Sequence, residues 1–217
     1  ALAATPAGAE MLKGPLTADA INSEEFADAF RTVATLDQQN GSANSSVNAN
    51  DFAADFNNGL SAVFINGVWG ASQFAGSDNF VSCIYPNSVA ISSANTGLYV
   101  ANDLSDAQKE LALEFIKYMT SEEVQSRYFL ETSSNPINEN VDIQKLAQES
   151  GDPTALKLAE ACDKCNKADT IVLAIDVCWG NDVGGALQNK FAECAVAGTD
   201  IEAKLAELQA ELTALIG

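Results

Sequence analysis

Ser105-Asp-Ala-Gln-Lys-Glu-Leu-Ala-Leu-Glu-Phe-Ile-Lys-Tyr-Met-Thr-Ser-Glu-Glu-Val-Gln125 reads as two helices and the corner that joins them. Ser105 followed three residues later by Gln108 is a capping box. The hydroxyl accepts one of the unpaired N–H groups of the first turn, and the amide reaches back to the cap. Leu111, Phe115 and Tyr118 or Met119 then recur at helical spacing, which predicts helix through Met119. Thr120-Ser-Glu-Glu123 repeats the capping signal and predicts a second helix to about Leu130, followed by a turn over Thr132–Pro136.

The same local chemistry extends in both directions. Towards the C-terminus it predicts helices at about Val141–Ser150, Pro153–Asn166, Val183–Ala197 and Asp200–Ile216. Asp152-Pro153 places a proline at a helix start, where its missing N–H costs nothing. Ile171–Cys178 is apolar and fits either strand or helix. Towards the N-terminus, Ala1–Ile21 reads as loop with a short helical piece. Ser23 caps a helix whose buried face is Phe26, Phe30, Val33 and Ala34, ending at Asn40-Gly41. Gln38–Asn50 reads as loop, Asn50 as the cap of a helix over Asp51–Asn57, and Gly59 as its stop. Ser61–Ile65, Phe80–Tyr85, Val89–Ser92 and Gly97–Val100 carry strand signals. Helix dominates and the short strands cluster in the first half, which predicts an α/β fold with a thin sheet.

Composition excludes several function classes. In 217 residues there are 11 Lys+Arg against 30 Asp+Glu, a net charge of −19. Nucleic acid is not expected as a partner, because binding it needs a basic footprint, and an anionic membrane surface is disfavoured for the same reason. Histidine is absent, which removes Ser-His-Asp and Cys-His catalysis and every imidazole zinc site. No apolar run approaches the ~20 residues of a membrane span. The chain begins at Ala1 with no leader-like segment and reads as a processed or cut end.

Five cysteines leave at least one unpaired. Cys162-Asp-Lys-Cys165 has metal or redox spacing, but a second close pair is lacking. Structural thiols, or one clip such as 162–165 or 178–194, are expected rather than zinc. The carboxylate pairs Glu122/Glu123, Asp176/Asp182 and Glu207/Glu211 have the residue types of a glycosidase, but they fall on helix faces that read as solvated. Gly184-Gly185 lacks the lysine of a phosphate loop and reads as a helix start with close backbone packing.

Three stretches, in order, resemble extracellular solute-binding proteins of the carbohydrate-binding, maltodextrin-binding-like family (family 1) of ABC importers. The first is Phe56-Asn-Asn-Gly59 with Ala62-Val-Phe-Ile-Asn-Gly-Val-Trp69. The second is Gly97-Leu-Tyr-Val100 with Ser105, Ala112 and Phe115 to Gln125. The third is Asn135-Pro136 followed by a C-terminal region with Trp179, Gly198 and a last amphipathic helix. The resemblance spans roughly Ser23 to Gly217.

It implies a class II periplasmic-binding-protein-like fold, mostly the helical second lobe with a thin sheet. Residues 1–86 and 136–217 would belong to that lobe, and 87–135 would cross over to complete the first. The matched stretches belong to the C-terminal half of such proteins. The expected partners are therefore a carbohydrate ligand, a membrane permease, and a missing N-terminal half or a partner chain. The expected location is extracellular, as a cell-surface lipoprotein or in the periplasm. Lacking its partners, 87–135 is expected to expose Phe115, Ile116, Met119 and Phe129.

The resemblance also implies binding without chemistry, with no cofactor and no metal. Its candidate ligand residues are Trp69, Trp179, Asn66, Asn181 and Asp182. An indole face stacks on the C–H face of a sugar while amide and carboxylate groups bond its hydroxyls. On composition alone the two tryptophans read as ordinary core or rim aromatics. A carboxylate-dependent glycan hydrolase, and a helical interaction domain that binds no small ligand, are the alternatives.

Overall fold

The structure, a computed structural model, describes residues 1–40, 49–74, 80–93 and 97–217. The chain divides into two compact units. One comprises Ala1–Val47, Tyr85–Asn95 and Ala168–Gly217; the other comprises Asn48–Ile84 and Thr96–Lys167. Among the described residues no helix is long and apolar enough to cross a membrane.

The first unit is built on three helices, α3 (Glu24–Asn40), α10 (Asn181–Cys194) and α11 (Ile201–Ile216). The Ser23 hydroxyl accepts from the Phe26 N–H and starts α3. Phe26, Phe30 and Ala34, four residues apart, fall on one face and are buried against Val183, Leu187, Leu205, Leu208 and Leu212. Phe30 stacks on Phe191 at 5.0 Å between ring centroids. Asp200 caps α11 by accepting from the Glu202 and Ala203 N–H groups. At the rim, Arg31 pairs with Glu24, Asp28 and Glu202. Lys190 and Lys204 share Glu193 and Glu207. With their carboxylates open to solvent, these pairs fix how α11 meets α3 and α10 more than they add stability.

The remainder of this unit holds the sheet. Two short helices, α1 (Pro6–Met11) and α2 (Ala18–Ile21), occupy the N-terminal stretch expected to be mostly loop. The strands β1 (Val89–Ser92) and β2 (Thr170–Leu173) run parallel with Val89 opposite Thr170. The apolar run after Ala168 therefore resolves into β2 and a one-turn helix α9 (Ile175–Cys178). Val89 and Val172 bury one face of the pair against Leu2, Ala9 and Leu12. Asn87 and Ser88 both have positive φ in the turn that leads into β1. That turn is held by Asn87 donating to the Ala4 carbonyl and by Ser88 accepting from the Asp169 N–H.

The second unit contains α4 (Ala49–Asn57), a 3-10 turn over Val68–Phe74, α5 (Asp106–Met119), α6 (Glu122–Thr132), α7 (Ile143–Ser150) and α8 (Pro153–Asn166). Ser105 and Gln108 form the expected capping box of α5. The cap of α6 is Ser121, not Thr120. The Thr120 hydroxyl instead donates back to the Ile116 carbonyl and closes α5. Gly59, at φ +71°, takes the left-handed conformation that ends α4. The core of this unit is Phe129, Ala147, Ala155, Leu158, Ala159 and Cys162, from α6, α7 and α8.

The α/β class with a thin sheet is observed, but only one of the four expected strands, Val89–Ser92, pairs in the sheet. Ser61–Ile65, Phe80–Tyr85 and Gly97–Val100 join no ladder among the described residues; Tyr85 alone makes an isolated bridge, to Val89. A strand needs a neighbouring ladder, and among the described residues β1 finds one in β2, beside the single bridge to Tyr85. Most of the loop expected over 38–50 lies outside the described residues. β1 pairs with β2, and Phe129 packs on α7 and α8. Phe129, expected to be exposed, is 1% accessible for that reason, whereas Phe115 is exposed and Ile116 and Met119 are half-buried.

Candidate functional site

Trp69 sits in the 3-10 turn over Val68–Phe74, where the repeat is three residues. Val68 and Ala71 pack on the α7–α8 core and Phe74 is buried. Trp69, on the opposite side of that repeat, is 56% accessible. Its indole folds back over Gly67, where a Cβ would strike the six-membered part of the ring. The Asn66 side chain lies beside Gly70, 3.2 Å from where a Cβ would stand, and its Oδ1 accepts from the Gly67 N–H at 2.8 Å. Two glycines thus let the indole and the amide fold tightly onto the turn. Both side chains remain exposed.

Trp179, Asn181 and Asp182 belong to the other unit, where they follow α9 and open α10. Trp179 is half-buried between two apolar clusters and its indole Nε1 donates to the Gly14 carbonyl at 3.2 Å. Gly180 precedes α10 at φ +93°, a conformation strained for other residues. Asn181 and Asp182 are exposed in the first turn. Gly184 lies against α9, with Asp176 Cβ 3.3 Å from where a Cβ would stand, so it serves close packing, whereas Gly185 meets open space. The five candidates thus form two groups: Asn66 and Trp69 in one unit, Trp179, Asn181 and Asp182 in the other.

The other candidate constellations occupy ordinary structural positions. Glu122, Glu123, Asp176, Asp182 and Glu211 lie on solvent faces. Glu207 is bound by Lys190 and Lys204, whose hydrogen bonds hold its carboxyl below the usual range. All five cysteines are unbridged, so neither expected clip forms. Cys162 points into the α6–α8 core while Cys165 sits on the flank of α8, and Cys194 and Cys178 belong to different clusters. Burial pushes the Cys162 thiol up to about 12 and raises Cys165 as well. Such thiols stay protonated and are poor nucleophiles. Among the described residues no three Cys, Asp or Glu side chains gather as a metal site. A cavity of about 120 Å³ in the first unit is walled by Leu2, Phe26, Phe30, Val33, Leu187 and Phe191. Without polar side chains it does not suit a hydroxyl-rich ligand.

Sequence reasoning missed the setting of the Trp69 turn. Phe74 meets the rings of Phe56, Phe64 and Phe80 at 5.3, 5.2 and 5.1 Å. Lys157 and Lys164 of α8 donate to the carbonyls of Phe80 and Ser82, and Glu160 lies between the two lysines. The i, i+3, i+7 spacing of Lys157, Glu160 and Lys164 was the available signal.

The profile of a family described as "Bacterial extracellular solute-binding protein" matches residues 3–154. A search of curated proteins found no match. Among solved structures the chain is similar to a Streptococcus pneumoniae solute-binding protein in complex with the blood group A-trisaccharide. The two are 38% identical with a TM-score of 0.90, and the match covers 98% of this chain and 55% of that one. The chain thus spans about half the length of that neighbour. The family match, over well more than half of the residues, shows that the chain belongs to the bacterial extracellular solute-binding proteins.

Proposed function

We propose that the chain is part of the extracellular substrate-binding component of an ABC-type carbohydrate importer. In this reading a sugar or oligosaccharide is held between two lobes and delivered to a membrane permease, with no bond made or broken. Residues 87–135 complete the first lobe, and 1–86 and 136–217 belong to the second. The observation that carries the reading is the exposed, glycine-backed indole of Trp69, in a chain whose solved neighbour is a sugar complex. An indole held flat with one face open suits the apolar face of a sugar ring. Asn66 supplies a donor and an acceptor beside it, and Asn181 and Asp182 supply polar groups beside Trp179. The half-buried Trp179 offers only part of its ring, since its N–H is already engaged by Gly14.

Titration of tryptophan fluorescence with a sugar panel that includes the A-trisaccharide tests this reading. A saturable shift for at least one sugar, abolished or strongly weakened by Trp69→Ala, is expected. No response to any sugar would overturn it, and turnover of aryl glycosides would favour the hydrolase instead.

A further inference from the structure

Asn-Gly occurs three times, at 40–41, 58–59 and 66–67. In this pair the side-chain carbonyl carbon of asparagine is one ring closure away from the nitrogen of the next residue. A glycine there puts no side chain in the way and leaves the backbone free to turn. Local conformation then decides whether the ring can close. Asn40-Gly41 extends outside the described residues, and the other two pairs differ.

Asn58 is exposed, but the nitrogen after it is engaged. The Gly59 N–H donates to the Phe56 carbonyl at 3.0 Å, in the turn that ends α4, and Gly59 is set there at φ +71°. Bringing that nitrogen onto the Asn58 side chain breaks the turn. Asn66 meets no such restraint. It is exposed and lies in neither a helix nor a ladder. Among the described residues no backbone carbonyl takes the Gly67 N–H, which donates instead to Asn66 Oδ1 at 2.8 Å. With a C=O bond of about 1.23 Å, Asn66 Cγ then stands within about 4 Å of the Gly67 nitrogen. The side-chain amide is already folded over the atom that would attack it, and its Nδ2 lies on the Gly70 side.

We propose that Asn66-Gly67 is a site of spontaneous covalent modification, at which Asn66 deamidates through a cyclic imide. The Gly67 nitrogen gives its proton to solvent base and attacks Asn66 Cγ. A bond forms between that nitrogen and Cγ, the Cγ–Nδ2 bond breaks, and Nδ2 takes a proton and leaves as ammonia. Water then opens the five-membered ring. Addition at Cγ gives an aspartate, and addition at the main-chain carbonyl carbon routes the chain through Cγ and gives an isoaspartate. Water and solvent base are the only co-reactants, and nothing is oxidised or reduced. Either product puts a carboxylate where an amide stood. The isoaspartate also adds one methylene to the main chain, next to the glycine that backs the Trp69 indole. The chemistry does not depend on what Trp69 binds.

Incubation of the folded chain at mildly alkaline pH, followed by peptide mass mapping, tests the proposal. Chymotrypsin cuts after Phe56, Leu60, Phe64 and Trp69, so Asn58 and Asn66 fall in different peptides. The peptide with Asn66 should gain about 1 Da and split into two products. One of them should be a substrate for an isoaspartyl methyltransferase. The gain should come on the order of tenfold faster than in the peptide with Asn58, whose following N–H is held by Phe56. In denaturant, where both nitrogens are released, the two rates should converge. Asn66→Gln should abolish isoaspartate in its peptide, because its imide needs a larger ring. Equal rates in the folded chain overturn the proposal. So does a rate difference that persists undiminished in denaturant, or a mass gain without isoaspartate.

Discussion

The indole of Trp69 lies against the α-carbon of Gly67, so close that no side chain fits between them. The ring is therefore held by the turn that precedes it rather than by a surrounding core, and its outer face stays open to solvent.

Gly67→Ala should push the indole off the turn and weaken sugar binding, with Tm little changed. Trp69→Ala removes the stacking face, worth on the order of 1 kcal/mol, together with buried area. A total loss of about 2 kcal/mol corresponds to more than tenfold in affinity. The two changes should not add. The double variant Gly67→Ala/Trp69→Ala should match Trp69→Ala alone, because the collision disappears with the ring. Additive losses in calorimetric titration would show that Gly67 acts by another route.

Gln125 is the one buried polar side chain of the described core, and both ends are satisfied. Its Nε2 donates to the Met119 carbonyl at 2.8 Å and its Oε1 accepts from the Ile137 N–H at 2.9 Å. It ties the end of α5 and the loop after α6 to one point. Gln125→Leu should leave both backbone groups unpaired and cost about 2–3 kcal/mol, read as a lower urea midpoint. A shift of under a few tenths would mean that water replaces the amide.

Glu160 is held below its ordinary value of 4.5, chiefly by the hydrogen bond from Lys164. A carboxyl whose folded value is depressed stabilises fully above its unfolded value. That contribution is lost as pH falls through the depressed folded value. Lys164→Met should therefore flatten the loss of stability as pH falls below the ordinary value of 4.5. Urea midpoints at several pH values measure this. An unchanged acid limb would assign the loss to other carboxylates.

Cysteine reactivity should follow burial. Cys83 is exposed, while Cys162 and Cys194 are buried. Burial also raises the thiol values of Cys162 and Cys194. In the folded protein iodoacetamide should label Cys83 first and leave Cys162 and Cys194 unmodified until denaturant is added. Mass mapping of early labelling on Cys162 would contradict the packing of α8.

Leu208 is fully buried between α11 and its neighbours. Leu208→Ala should cost about 2–5 kcal/mol, whereas Leu215→Ala, at an exposed position, should change stability by less than about 0.5 kcal/mol. Equal effects in thermal unfolding would place the α11 face differently.

The helices were legible in the sequence because their signals are local. Ser105 with Gln108, Asp152-Pro153 and Asp200 each satisfy N–H groups within three residues of themselves. The periodic faces of α3 and α11 follow from spacing alone. Even here neighbours compete, and Ser121 took the cap that Thr120 also signalled once Thr120 bonded back to Ile116. Strand pairing lay beyond the sequence. Val89–Ser92 and Ser61–Ile65 look alike as text, but only the first meets a partner, about 80 residues away in Thr170–Leu173. Exposure was equally a tertiary matter. Trp69 and Trp179 are both flanked by glycine and polar residues, and Phe115 and Phe129 both sit on helical stripes. A turn backed by Gly67 leaves Trp69 open, and the Gly14 carbonyl engages Trp179. Contact with α7 and α8 buries Phe129 while Phe115 stays exposed. A hydrogen bond to the next turn of a helix is written in adjacent residues. A contact across the fold depends on where every other element has gone.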